Sequence, residues 1–204
     1  FVAFYDGAHV DVVDLHPEAF ELARAYFGLE AADGMALHTA DARAFVESAP
    51  DGRYDVIVLD AYGAFDLPRH LATRQFYEAT RERLRAHGAL CVNVVGRLDG
   101  DPHEPLQAVS RTLRRVFGTD SVLALPIALA GEDPRALDPV ALRNVVLCAL
   151  RGSPPTSSAF DDALRALPRA KLAGVEPAIE RARRALCERE LGPLEDEATS
   201  SARG

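Results

Sequence analysis

VDVVDLHPEAFELARAYFGL (residues 10–29) and HTADARAFVESAPDGRYDVIVLDAYGAFDLP (residues 38–68) are written on one template. In each, a short β-branched run ends on an acidic residue and passes through a turn into a helical pattern, which is how a strand–helix unit of a parallel sheet reads. The loops that follow parallel strands all lie on one edge. Asp14, Asp41 and Asp60 therefore belong on the carboxyl edge of a single sheet, where open α/β proteins bind their ligands.

Outward from these passages, strand-like runs alternate with helix-like ones. The pattern predicts strands at Val10–Asp14, Ala36–Thr39, Val56–Asp60, Ala89–Val95, Ser121–Leu125 and Asn144–Leu150. This is an α/β domain, a mostly parallel sheet with helices on both faces. Pro17 suits a first helical turn, Glu18 and Glu21 sit in the half that favours negative charge, and Gly28 stops the helix. Pro68 to Ala86 carries Leu71, Phe76, Tyr77, Thr80 and Leu84 at helical spacing, with His87-Gly88 as its end. Leu106 to Phe117 repeats the device and closes on Gly118. Beyond Gly152 the composition changes. SPPTSS reads as a linker, Ser157–Leu167 and Val175–Leu191 as two amphipathic helices, and the last dozen residues as a frayed tail. Two regions are expected: a partial nucleoside-binding domain over 1–151 and a helical extension over 152–204.

At 204 residues and 48% hydrophobic, the chain can bury a good core, and no stretch reaches the roughly 18 consecutive apolar residues of a membrane span. A formal charge of −8 argues against a general nucleic-acid binder, because such binding relies on Lys and Arg neutralising phosphates. A cationic substrate suits it better. RTLRR at 111–115 and RARR at 181–184 read as solvent faces of helices. Cys91, Cys148 and Cys187 are odd in number and widely spaced, so they read as reduced thiols. The histidines show no metal-binding spacing.

FVAFYDG at the start reads as a helix end and turn entered midway, and no glycine-rich loop precedes Asp14. The resemblance of these acidic segments to S-adenosylmethionine-dependent methyltransferases implies a strand between those ending at Asp14 and Asp60. The expectation is that an apolar strand and a glycine-rich turn precede Phe1 in the native protein, or that another chain supplies the strand. The alternative is a rearranged sheet in which Val10–Asp14 pairs directly with Val56–Asp60.

Asp14 stands where such folds place a carboxylate whose two oxygens match the vicinal diol of a ribose; the alternative is a cap for the helix at Pro17. Asp41 sits at the head of the helix from Ala42, where capping and ligand binding can coexist. Tyr62 can stack on a ligand or pack on the sheet edge. Asp99, Asp101 and Glu104 follow the strand ending at Val95, either steering a polycation toward the rim or simply solvated.

Three segments in order resemble the spermidine synthase (polyamine aminopropyltransferase) family, and more loosely the S-adenosylmethionine-dependent methyltransferases. V-D-L-H-P resembles the family's V-E-I-D-P, TADARAFV its G-D-A-R-x-F-L, and YDVIVLDAYGAFDLP its Y-D-V-I-x-x-D-x-x-D-P. Asp replaces Glu at 14, His16 replaces an acid, and the second acid of the D-x-x-D pair is absent, with Asp66 three residues beyond Gly63. The resemblance covers about residues 8–96. It implies a Rossmann-like methyltransferase fold with Asp14 and Leu15 at the ribose, and Asp41 and Ala42 at the adenine. Asp60 would lie at the donor and take the proton of the attacking amine, with Tyr62 and Asp66 on the acceptor side. S-adenosylmethionine or its decarboxylated form would be the co-substrate, with no metal, an amine the acceptor, a homodimer the assembly and the cytoplasm the location. Three functions stand: aminopropyl transfer, methyl transfer, and a non-catalytic binding module of the same descent.

Overall fold

The computed structural model describes residues 7–30, 33–62, 67–129, 131–133 and 136–153. The two helices expected within 157–191, the frayed tail, Cys187 and Asp66 lie outside these residues.

Six strands form in the expected places: β1 (Val10–Asp14), β2 (Met35–Thr39), β3 (Tyr54–Leu59), β4 (Leu84–Gly96), β5 (Val122–Pro126) and β6 (Arg143–Leu150). Between them run α1 (Pro17–Tyr26), α2 (Ala42–Ser48), α3 (Arg74–Arg83) and α4 (Pro105–Phe117). The strands pair in two groups, β1–β2 and β3–β4–β6–β5. β1–β2 and β3–β4 are parallel, whereas β6 runs antiparallel to both β4 and β5. The sheet is thus mainly parallel with one reversed strand. Among the described residues β1 has no ladder with β3, so the direct pairing weighed as an alternative does not form.

The β3–β4–β6–β5 group contains the core. β4 and β6 alternate strictly, with Leu90, Val92 and Val94 and then Val145, Leu147 and Ala149 buried on one face. α3 and α4 close that face with Phe76, Tyr77, Leu106 and Leu113. Right-handed crossovers put α2, α3 and α4 on this side, because all three lead the chain the same way across the sheet. The β1–β2 crossover runs the other way, so the same rule puts α1 opposite. Gly96 lets α4 approach: a Cβ there would stand 2.5 Å from Leu106 Cβ.

Two local differences have clear causes. The helix expected from Pro68 to Ala86 is divided into a 3-10 turn at Arg69–Leu71 and α3. Thr73 takes an extended conformation and accepts the Phe76 amide at 3.3 Å, starting a fresh helix. It ends at Arg83 because Leu84 already pairs with Tyr54 of β3. His87, with φ 65°, and Gly88 then make a bulge, the His87 amide donating to the Arg151 carbonyl and the Arg151 amide to Gly88.

Candidate active site

Each acid predicted for the rim follows the strand that delivers it. Asp14 ends β1 opposite Thr39 of β2, and its carbonyl accepts the Ala40 amide at 2.9 Å, so Asp41 comes just beyond it on the same edge. Leu59 lies beside Val92, which puts Asp60 next to Asn93.

Asp14 does not cap α1. The residue at the helix entrance is His16, with no side-chain cap, and Asp14 Oδ1 accepts the His16 amide at 2.8 Å. A proline at the first helical position leaves one donor fewer to satisfy there. Asp14 Oδ2 has no protein partner among the described residues, and Leu15 beside it is 59% exposed.

Asp41 does cap. Its Oδ1 accepts the Ala44 amide at 2.9 Å, while Oδ2 lies 3.0 Å from His70 Nε2. The Ala44 amide first, and His70 after it, hold this carboxyl below its usual range against a smaller opposing effect of burial. Arg43 extends the link, its guanidinium donating to the His70 carbonyl at 3.2 Å and to Thr73 Oγ1 at 3.3 Å. The turn after β2 is therefore fastened to the turn that starts α3.

Asp60 is exposed, and Asn93 Nδ2 donates to its Oδ1 at 3.0 Å. Its Oδ2 has no protein partner among the described residues. Tyr62 packs on the sheet edge: its hydroxyl donates to the Asn93 carbonyl at 3.1 Å and accepts the Val95 amide at 2.7 Å. One residue of β4 thus positions both Asp60 and Tyr62.

Of the remaining acids on this edge, Asp99 has no side-chain partner among the described residues, and the other two are engaged. Glu104 pairs with Arg97 at 3.1 Å, and Asp101 accepts the His103 amide at 2.8 Å. Between β5 and β6, Arg143 is buried and grips Glu132 with two nitrogens, at 2.6 and 2.7 Å. Glu132 also accepts the Leu129 and Asp138 amides, so this pair shapes the loop that borders the rim beyond Gly96. Bonds from Arg143 and then Leu129 push Glu132 down to about 2.

At the opposite end of the strands, Asp11 joins the two groups. It meets His38 Nε2 at 2.8 Å and accepts the Tyr54 hydroxyl at 3.1 Å, with Arg53 3.9 Å away. Burial raises the Asp11 carboxyl, but these hydrogen bonds outweigh it and hold the group below its usual range. A cleft of about 250 Å³ opens here between His9, Asp11, Gly34 and Arg53, away from the three rim acids.

His70, Asn93 and Asp11 are absent from the motif reading. Asn93 left a trace, as the one amide in the apolar run ALCVNVV. His70 and Asp11 left none, since their partners are 29 and 43 residues away.

No family model matches the chain. A mainly parallel sheet with one reversed strand and an acid after each of three strands defines the class: the chain has the Rossmann-like methyltransferase fold. The probable spermidine synthase of Corynebacterium glutamicum superimposes with a TM-score of 0.62 over 80% of this chain and 56% of its own, at 22% identity. In sequence, the chain is 34% identical over 116 residues to a polyamine aminopropyltransferase of Vibrio vulnificus, covering 56% of this chain and 37% of that one. It is also 30% identical over 86 residues to putrescine N-methyltransferase 1 of Nicotiana tabacum, covering 40% and 23%. The chain thus covers about half of the Corynebacterium glutamicum synthase and little more than a third of the Vibrio vulnificus relative. The resemblance read from the three motifs holds in both sequence and fold. Among the described residues no helix is long and apolar enough to cross a membrane, and no cluster of His, Cys, Asp or Glu is arranged to hold a metal.

Proposed function

We propose that this chain is the nucleoside-binding part of a transferase that takes S-adenosylmethionine or its decarboxylated form and moves an aminopropyl group to an amine. The observation that carries the reading is Asp60, a solvent-facing carboxylate oriented by Asn93 with one oxygen unbonded, next in line to two more acids on the same rim. Asp14, with Leu15 beside it, is the ribose acceptor. Asp41 is held ionised, which makes it the stronger acceptor for the adenine amino group, and the Ala42 amide opens α2, where helical bonding leaves donors unused. Tyr62 and, from the sequence, Asp66 belong to the acceptor side.

The chemistry asks little more of the protein. An alkyl amine is protonated at neutral pH and has no lone pair to attack with until it loses a proton. Asp60 Oδ2 accepts that proton as the nitrogen bonds to the carbon next to the donor's sulfonium, and the carbon–sulfur bond breaks with its electrons returning to sulfur. The formal charge of −8 favours a cationic acceptor. A homodimer and a cytoplasmic location complete the proposal.

Methyl transfer is the second reading, favoured by the likeness to a putrescine N-methyltransferase. Thermal-shift titrations with decarboxylated S-adenosylmethionine, S-adenosylmethionine and methylthioadenosine separate the two, because a ligand that binds only the folded chain raises its apparent stability. A larger shift with the decarboxylated donor is expected. A preference for S-adenosylmethionine would move the assignment to methyl transfer, and no shift with any of the three would leave a non-catalytic module.

A further inference from the structure

Two cysteines separated by 57 positions meet in the sheet. Cys91 of β4 lies directly opposite Cys148 of β6, and their sulfurs are 3.4 Å apart. Opposed residues in an antiparallel ladder alternate between hydrogen-bonded and non-hydrogen-bonded pairs. The bond from the Arg151 amide to the Gly88 carbonyl makes that rung a bonded one. Along the register, Ala89–Leu150 is then unbonded, Leu90–Ala149 bonded and Cys91–Cys148 unbonded. Unbonded pairs have the closer Cα atoms, about 4.5 Å apart. That lies within the roughly 4.4–6.8 Å that a disulfide spans.

The pair is reachable as well as close. Both side chains project from the face away from α3 and α4, alternating with the buried residues of their strands, and both are half-buried. Val58, beside Cys91 in the β3–β4 register, is 56% exposed, so a small reagent can approach Cys91 from that side. The contact with Cys148 lowers the Cys91 thiol, while the same contact, together with burial, raises Cys148. With Val58 open beside it, Cys91 is the sulfur that a reagent meets first.

From this register and exposure we propose that Cys91 and Cys148 form a redox modification site, a dithiol that a low-molecular-weight disulfide converts to an intramolecular cross-strand disulfide. The Cys91 thiolate attacks one sulfur of the reagent, forming a mixed disulfide and releasing one thiolate. Cys148 then gives up its proton and attacks the Cys91 sulfur, closing the protein disulfide and releasing the second reagent thiol. Two protein thiols are oxidised and one reagent disulfide is reduced to two thiols. The new bond would tie β4 to β6 two residues before Asn93, on the face that carries Asn93 toward Asp60. The proposal is independent of the transferase reading.

The test uses the full 204-residue chain with Cys187→Ser, leaving only these two thiols, beside the unaltered chain. After incubation with oxidised glutathione under native conditions, the titratable thiols should fall from two to none in a monomer. The mass should drop by two hydrogens, and a non-reducing peptide map should join the Cys91 and Cys148 peptides. Dithiothreitol should restore both thiols. With Cys148→Ser added, the reaction should stop at a glutathione adduct on Cys91. In the unaltered chain the same two peptides should be joined, even if Cys187→Ser alters folding. The proposal is overturned if both thiols stay alkylatable, if a stable double glutathione adduct forms, or if the cross-link joins two chains or involves Cys187.

Discussion

The two strand groups divide the work unequally. In β3–β4–β6–β5, alternate residues of β4 and β6 are buried without exception from Gly88 to Gly96 and from Arg143 to Ala149, beneath two helices. In β1–β2 no strand residue is fully buried, and the flanking helices contribute only Phe20 and Val46 to the buried set. Two of the three rim acids nevertheless stand on the poorly packed side. The buried core and two of the three rim acids therefore reside in different parts of the molecule, joined at the far end through Asp11 and Tyr54. Binding surfaces drawn from the less stable part of a protein can order as the ligand arrives.

The largest effect that would test this division is a core truncation. Leu147→Ala should cost about 2–5 kcal/mol in chemical denaturation, the usual range for a fully buried leucine. Val12→Ala, on half-buried β1, should cost far less. Equal losses would show that β1–β2 has a core of comparable weight and would break the comparison.

Next come the rim acids. Asp14→Ala and Asp41→Ala should each weaken methylthioadenosine binding by about 1–3 kcal/mol, the scale of leaving a hydrogen-bonding group unpaired, whereas Asp60→Asn should leave affinity within several-fold. Isothermal titration decides it. Parent-like affinity in Asp14→Ala would remove that residue from the ribose.

A smaller change sharpens the role of the seam. Tyr54→Phe deletes the hydroxyl that reaches Asp11 and should cost roughly 0.5–1.5 kcal/mol, as for one hydrogen bond. Hydrogen exchange should then speed up in β1 and β2 and stay unchanged in β4 and β6; uniform acceleration would mean that the two groups open together.

The last effect is a pH dependence that is flat near neutrality. Glu132 titrates at about 2 in the folded chain against an ordinary 4.5. The lowered value means that its pairing with Arg143 contributes fully above about 4.5 and is lost as the pH falls toward 2. Asp11 and Asp41, also lowered, act with the same sign. Urea midpoints measured from pH 6 to 2 should fall, and Glu132→Gln should flatten the lower part of that slope. An unchanged slope would show that the loop beyond Gly96 does not depend on this pair.

Sequence alone determined the strands, the positions of Asp14, Asp41 and Asp60 at strand ends, and the fold class. Those signals are local: β-branched runs set the strands, while Pro17, Gly28 and Gly118 mark helix limits within a few residues of the structure they control. The motif resemblance supplied the roles proposed for those acids, since it too depends on short contiguous segments. Tertiary structure alone decided the reversal of β6, the grip of Asn93 on Asp60 and of His70 on Asp41, and the meeting of Cys91 with Cys148. Each depends on which strand lies beside which and in what register. Pairing energy is spread over whole ladders and buried faces, so no run of neighbouring residues records it.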